Sequence, residues 1–418
     1  MRGQRPHRGL AVLVILLPVV VLVMWGCQPK APTGPEPGVQ PTPAEENQAA
    51  TPLESGAKAP TGEPVKVGAI FSVTGNNAPL GEPEKRAAQL IQEEINAKGG
   101  VLGRPLQVIV KDDKTDTTEA VNAAKDLINT EKVCAIIGPS GTPTTMAIVP
   151  TMEEAKVPLV SCAAGMKITN PIKPYVFAVP QTDTLAVAKI IEYLKANRIE
   201  KVATIYVKDP YGESGQEQLS THLSKAQIKI LGSESYAKDD TDMTTQLTKL
   251  RGLQPQAIIC WGTNPGPAHV AKGMKKLGMT MPLIQSHGVA NAKFLELAAD
   301  AGEGVMLPAG RLVVWEAVPD SHPQKPILKS FAEAFRAKYS KDADTFAGHA
   351  YDSLHIVISA IEAAKSTEPA KVRDALEKTK DFVGTAGVFT YTPQDHNGLT
   401  KDAFVWVKVE GGKWKLAE

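Results

Sequence analysis

From Val65 to Pro150, apolar runs of strand length alternate with amphipathic runs of helix length, and few folds accommodate that rhythm. The first run, Val65–Phe71, leads into a polar loop, Ser72–Gly81. A helical pattern follows through Ile95, with Ala87, Ala88, Leu90, Ile91 and Ile95 on one stripe, and stops at Asn96-Ala-Lys-Gly-Gly100. Leu106–Val110 and Lys132–Ile137 read as the next strands. The latter ends in Gly138-Pro-Ser-Gly-Thr-Pro-Thr-Thr145, with another helix beginning near Thr145. Strands joined by helices require crossover connections, which are right-handed and lay down a parallel sheet covered on both faces. In such sheets small molecules bind beyond the carboxyl ends of the strands. Those ends carry hydroxyls, glycines and main-chain N–H groups here, the equipment of a binding site.

The pattern restarts after a fourth strand, Val157–Ser161, which ends in Cys162-Ala-Ala-Gly165. The strands Val202–Val207, Ile228–Leu231, Ala257–Trp261 and Pro282–Gln285 are again followed by polar or small residues. Roughly 350 residues after the N-terminal region exceed what one core usually serves. The expected architecture is therefore α/β, with two Rossmann-like doubly wound lobes joined by a hinge of several crossovers. Lobe 1 is expected to comprise 65–181 and about 318–388, and lobe 2 182–317 and about 389–418.

The N-terminal region differs in kind. Arg2, Arg5, His7 and Arg8 precede an apolar run from Leu10 to Trp25, interrupted by Pro18 and closed by Gly26-Cys27. A charged segment, an apolar segment and a cysteine after a small residue read as a lipoprotein signal over 1–27, with Cys27 as the lipidated residue. An uncleaved anchor is the other reading, and both tether the domain to a membrane. Residues 28–64, rich in Pro, Ala, Gly, Thr and Glu, cannot bury enough apolar surface to fold and read as a disordered linker.

A net charge of +1 with no basic stripe argues against nucleic acid as a partner. Cys134, Cys162 and Cys260 lie in or beside apolar strands. They read as buried free thiols, with a Cys134–Cys162 bridge as the alternative. His269, His287, His322, His349, His355 and His396 show no metal-ligand spacing, and neither a Ser/His/Asp order nor a Walker-type loop occurs, so no cofactor, metal or catalytic residue is expected.

Five segments in order, Glu94-Ile-Asn-Ala-Lys-Gly-Gly100 with Asp112-Asp113, Ile137-Gly-Pro139, Lys208-Asp-Pro-Tyr-Gly-Glu213 and Gly288-Val-Ala-Asn291, resemble the type I periplasmic substrate-binding proteins of ABC importers, leucine/isoleucine/valine class. The resemblance runs from Val65 to the C-terminus. It implies an extracytoplasmic, non-enzymatic protein that closes two lobes on a small carboxylate-bearing solute and delivers it to a membrane permease. A sensor that presents the same solute to a receptor is the alternative.

The resemblance also implies a site. Thr142 and Thr144 match hydroxyl positions that hold the ligand's carboxylate, where a helix N-terminus favours an anion; capping of that helix is their alternative role. A second loop, Ala163-Ala-Gly165, offers only main-chain N–H groups, because Gly165 stands where the family often has a hydroxyl. Tyr211 matches an aromatic residue that closes from lobe 2, and Trp261 another at a strand end, although each could be a core residue. His287 stands where amino-acid binders carry an acid for the α-ammonium, and Leu80 where they carry a tyrosine. These two departures imply an acid with an apolar or aromatic body, not necessarily an amino acid, unless Asp209 or Glu213 supplies the missing charge.

Overall fold

The computed structural model describes residues 59–417. The expected signal, Cys27 and the linker as far as residue 58 lie outside the described residues. The end of that linker is tied down rather than free. Thr61 N–H donates to the Gly103 carbonyl at 3.0 Å, and the Arg104 guanidinium donates to the carbonyls of Glu63 and Pro64 at 2.7 and 3.1 Å.

Beyond it, β1 (Val65–Phe71), β2 (Leu106–Asp112), β3 (Ile136–Ile137), β4 (Leu159–Ser161) and β5 (Val176–Ala178) form a wholly parallel sheet in the order β2-β1-β3-β4-β5. The crossovers include α1 (Ala78–Ala97), α2 (Thr117–Asn129) and α3 (Thr142–Ala155). Strand alternation is visible in the packing: Val65, Val67, Ala69 and Phe71 enter one core and Ile70 the opposite one. β3 starts later than the apolar run suggests, because Lys132 adopts a left-handed conformation (φ 58°) that an extended strand cannot contain.

The second lobe contains α4 (Asp183–Ala196), β6 (Lys201–Val207), α5 (Pro210–Lys225), β7 (Lys229–Tyr236), α6 (Thr244–Gly252), β8 (Ala257–Trp261), α7 (Gly266–Lys276), β9 (Leu283–Gln285), α8 (Ala292–Ala298) and β10 (Met306–Ala309). Strands β6 to β10 are parallel. The chain then returns to the first core with α9 (Lys325–Tyr339), α10 (Thr345–Ala364), α11 (Pro369–Leu376) and the small pair β11 (Phe382–Val383) and β12 (Val388–Phe389). A final antiparallel hairpin, β13 (Val405–Glu410) and β14 (Lys413–Leu416), completes the second sheet in the order β14-β13-β10-β9-β8-β6-β7. The fold is thus two doubly wound lobes.

The chain passes between the cores three times. Val179 packs in the first and Ala186 in the second; Ala309 packs in the second and Val318 in the first; Ala403 packs in the first and Phe404 in the second. The crossings are pinned to one another and to the first lobe. Gln181 Nε2 donates to the Ala386 carbonyl at 2.9 Å, and Arg311 Nη1 donates to the Asp402 carbonyl at 2.5 Å. The lobes also meet away from the hinge. Met166 N–H donates to Ser214 Oγ at 3.2 Å, Asn291 Nδ2 to the Pro79 carbonyl at 3.3 Å, and Asn76 Nδ2 to Asp239 Oδ1 at 2.5 Å. Cys134, Cys162 and Cys260 are free and buried, as their apolar strand contexts suggest.

Candidate functional site

The carboxyl ends of the two sheets face one cavity. Its first-lobe wall includes Asn77, Leu80, Ser140, Gly141, Thr142, Cys162, Ala163, Phe346 and His349; its second-lobe wall includes Asp209, Tyr211, Thr263, His287 and Gly288. The free space between these walls is about 30 Å³, far below the several hundred Å³ of a typical ligand pocket. A solute of amino-acid size therefore requires the lobes to part before it enters.

Helix α3 begins at Thr142, three residues earlier than its apolar pattern suggests, because Pro143 fits a first helical turn, where no N–H partner is needed. Thr142 is therefore the first residue of the helix and lines the cavity. Thr144 does not line it. Its Oγ1 donates to the Gly141 carbonyl at 3.1 Å, a bond within the turn. Thr145 Oγ1 likewise faces inward, 3.4 Å from the Pro139 carbonyl and 3.2 Å from Ser161 Oγ. Of the two threonines singled out, one faces the cavity and the other serves the helix start.

Ala163 lines the cavity and Gly165 does not. A Cβ at Gly165 would lie 2.4 Å from Thr142 Cγ2 and 3.0 Å from its Oγ1, so no side chain fits there unless Thr142 moves. The absent side chain at Gly165 sets the place of the Thr142 hydroxyl. Ser140 is held more firmly. Its hydroxyl accepts from Ser72 N–H at 2.9 Å and donates to the carboxyl of Glu84, which burial keeps well above the usual acid range.

On the second lobe, α5 starts after Asp209, whose Oδ1 accepts the N–H groups of Tyr211 and Gly212, each at 2.9 Å. This cap places the Tyr211 ring in the cavity, with its hydroxyl donating to Ser286 Oγ at 3.3 Å. Glu213 is not among the lining residues, so Asp209 is the acid that reaches the cavity wall. Trp261 lies behind the wall. Its ring contacts Tyr211 (centroids 6.2 Å apart) and His287 (5.9 Å), and a Cβ on Gly215 would come within 2.2 Å of it. It is fully buried and its Nε1 has no partner.

His287 is enclosed by Tyr211, Trp261 and Phe404, all edge-on or steeply inclined to its ring, with centroids 5.5–5.9 Å away. Neither ring nitrogen has a partner with full hydrogen-bond geometry, and the Gln181 main chain is the one polar group near enough to act on the ring. Burial lowers its pKa to about 3, so the ring is neutral at physiological pH. Sequence reading passed over a second histidine in the same condition. His349, on the first turns of α10, is buried, has no partner at either nitrogen and is also lowered to about 3, mainly by burial and further by proximity to His287. Ser140, Asn77, Phe346 and Thr263 were passed over as well. A usable signal was present on α10, where Phe346 and His349 stand three residues apart just after the Asp344 cap and so share a helix face.

A family model described as periplasmic binding protein matches residues 64–413. A Pseudomonas aeruginosa protein named as leucine-, isoleucine-, valine-, threonine- and alanine-binding is 25% identical over 75% of this chain and 82% of its own length. The solved substrate-binding protein LivJ of a Streptococcus pneumoniae branched-chain amino acid transporter, in complex with isoleucine, is 28% identical with a TM-score of 0.76, over 85% of this chain and 99% of that one. An extracellular ligand-binding receptor from Rhodopseudomonas palustris HaA2 is 27% identical with a TM-score of 0.80, over 84% of this chain and 99% of that one.

Proposed function

We propose that this chain, which belongs to the periplasmic binding protein family, captures a small carboxylate-bearing solute with an apolar or aromatic body and hands it to an ABC permease. The observation that carries this reading is the composition of the cavity that lies between the carboxyl ends of the two sheets. On one side stands the N-terminus of α3 with Thr142, and on the other Tyr211 and His287, with Leu80 and Phe346 supplying apolar surface. Main-chain N–H groups at a helix N-terminus and an unblocked hydroxyl suit an anion. The apolar and aromatic residues suit the rest of the solute.

Two of the relatives named above, the Pseudomonas aeruginosa protein and LivJ, are described with amino acids such as leucine, valine and isoleucine, which share the carboxylate and the apolar body, and branched-chain amino acids are the first candidates for this chain on that ground. Asp209 is the acid available to an α-ammonium group. Ligand contact from both walls makes affinity conditional on closure, and the pinned crossings at Gln181 and Arg311 are the mechanical element of that motion. Cys27 would hold the domain at the outer face of a membrane through lipid.

A thermal-shift screen of the purified protein against amino acids and against aliphatic and aromatic monocarboxylates tests the reading. A ligand raises the melting temperature by mass action. Stabilisation by a carboxylate with an apolar body is expected; stabilisation only by sugars, polyamines or metal ions would contradict it.

A further inference from the structure

Four ring nitrogens in this cavity have nothing to bond to. His287 reaches it from the second lobe and His349 from the first, both more than nine-tenths buried, and neither nitrogen of either ring has a partner. Such groups are costly when left unsatisfied, and buried polar atoms in folded proteins are nearly always paired. The surroundings offer little in exchange: the Gln181 main chain lies near His287 but makes no hydrogen bond of good geometry to it. Around His287 stand the rings of Tyr211, Trp261 and Phe404, and beside His349 that of Phe346. Tyr211 is already engaged with Ser286, and Asp209, whose Oδ1 accepts two N–H groups at the start of α5, bonds to neither ring.

Two neutral imidazoles present donors and acceptors together, which is the complement of a hydroxyl or carbonyl oxygen. They do not suit a second carboxylate. That would require charging rings which burial keeps neutral, beside the Asp209 carboxylate on the same wall. Nor do they replace the charge an ammonium group wants, since neither carries one.

From this placement we infer that His287 and His349 form a second polar subsite, one ring from each lobe, which selects a monocarboxylate carrying a further uncharged oxygen, a hydroxyl or a carbonyl, on its body. The inference rests on the carboxylate reading above and narrows it to oxygenated acids in place of the branched-chain amino acids. It also gives closure a chemical trigger. A ligand oxygen held between the two rings bonds to both lobes at once, whereas an unsubstituted acid leaves the rings bare when the lobes close.

The test is a calorimetric titration of the full purified protein with two matched series. One comprises 3-phenylpropanoate, phenylpyruvate, phenyllactate, 3-(4-hydroxyphenyl)propanoate and phenylalanine. The other comprises 4-methylpentanoate with its 2-oxo, 2-hydroxy and 2-amino derivatives. In the wild type at least one oxygenated acid should bind about tenfold or more tightly than its unsubstituted parent. In His287→Phe and in His349→Phe, that preference should shrink to within about threefold, while a cooperative thermal melt of each unliganded variant shows that it is folded. Equal binding of parent and oxygenated acids in the wild type would overturn the inference. So would a preference that survives both substitutions, or binding confined to the 2-amino member. If no member of either series binds, the carboxylate reading itself fails and the inference falls with it; if the parents bind without any oxygen preference, only the inference falls.

Discussion

Thr142 and Thr144 stand two residues apart at the start of α3, yet their surroundings assign them different work, and substituting each by valine separates the two roles. Thr142 lines the cavity, where its hydroxyl would reach a ligand carboxylate. Valine keeps its shape and removes that donor. A charge-assisted hydrogen bond contributes roughly 1.5–3 kcal/mol, so affinity for the ligand should fall about 10- to 150-fold. Thr142 supplies no bond to the turn that Gly141 caps, so the unliganded protein should melt within a few degrees of wild type. Thr144→Val should do the reverse. It removes the bond from Oγ1 to the Gly141 carbonyl, worth about 1 kcal/mol, and leaves a buried carbonyl with one partner fewer. The melting temperature should fall by a few degrees while affinity changes less than about threefold. Calorimetric titration and thermal melts of both variants give the two quantities independently. Loss of affinity in Thr144→Val with none in Thr142→Val would refute the assignment.

Three further outcomes are expected. Gly165 has an ordinary backbone conformation (φ −59°, ψ 128°), so Gly165→Ala introduces no backbone strain and acts only by pushing Thr142 aside; a drop in ligand affinity of about tenfold or more is expected, with an overpacking cost of roughly 1–3 kcal/mol seen in melts, and wild-type behaviour in both would contradict the contact. Asp183 is buried at the lobe junction beside Ser214, and burial raises its pKa to about 7. Its neutral form is the one the fold favours, so the stability it contributes is complete below the unfolded carboxylate pKa, near pH 4, and is lost as pH rises through 7. Asp183→Asn should therefore match wild type near pH 4 and exceed it near pH 8, by at most about 4 kcal/mol; a pH-independent difference would contradict that sign. Finally, Cys27→Ser should leave the protein released from the membrane fraction or still carrying its N-terminal signal, as read by fractionation and intact mass, whereas a wild-type protein that starts beyond residue 27 without lipid would contradict the anchor.

The sheets were legible because parallel strands buried on both faces must read as apolar runs, and β1, β6 and β8 do. The small elements were not. β3, β11 and β12 are two residues each, and β10 carries a proline, so periodicity had too little to work on. Single-position readings of the site were mixed for a related reason. Tyr211, Thr142, Ala163 and His287 reach the cavity because each lies within five residues of a strand's carboxyl end, where the fold dictates exposure to the cleft. Trp261 is still on its strand, and the side its ring takes depends on a neighbour, Gly215, 46 positions earlier, whose missing side chain makes room for it. His349 and Phe346 come from a helix that returns to the first lobe after the whole second lobe has been built. No local pattern carries that return. The start of α3 was misplaced because Thr-Pro-Thr-Thr looks like loop, whereas proline in a first turn is itself a helix signal.

The central claim is that two lobes close on the acid group of a small solute. Titrating the purified protein with its best-binding carboxylic acid and with the corresponding carboxamide tests it most directly, because the pair differs in charge at the one position in question and hardly in shape. The carboxamide should bind at least about tenfold more weakly, and Thr142→Val should narrow the gap by weakening the acid alone. Equal affinity for acid and amide, with Thr142→Val indifferent to both, would contradict it.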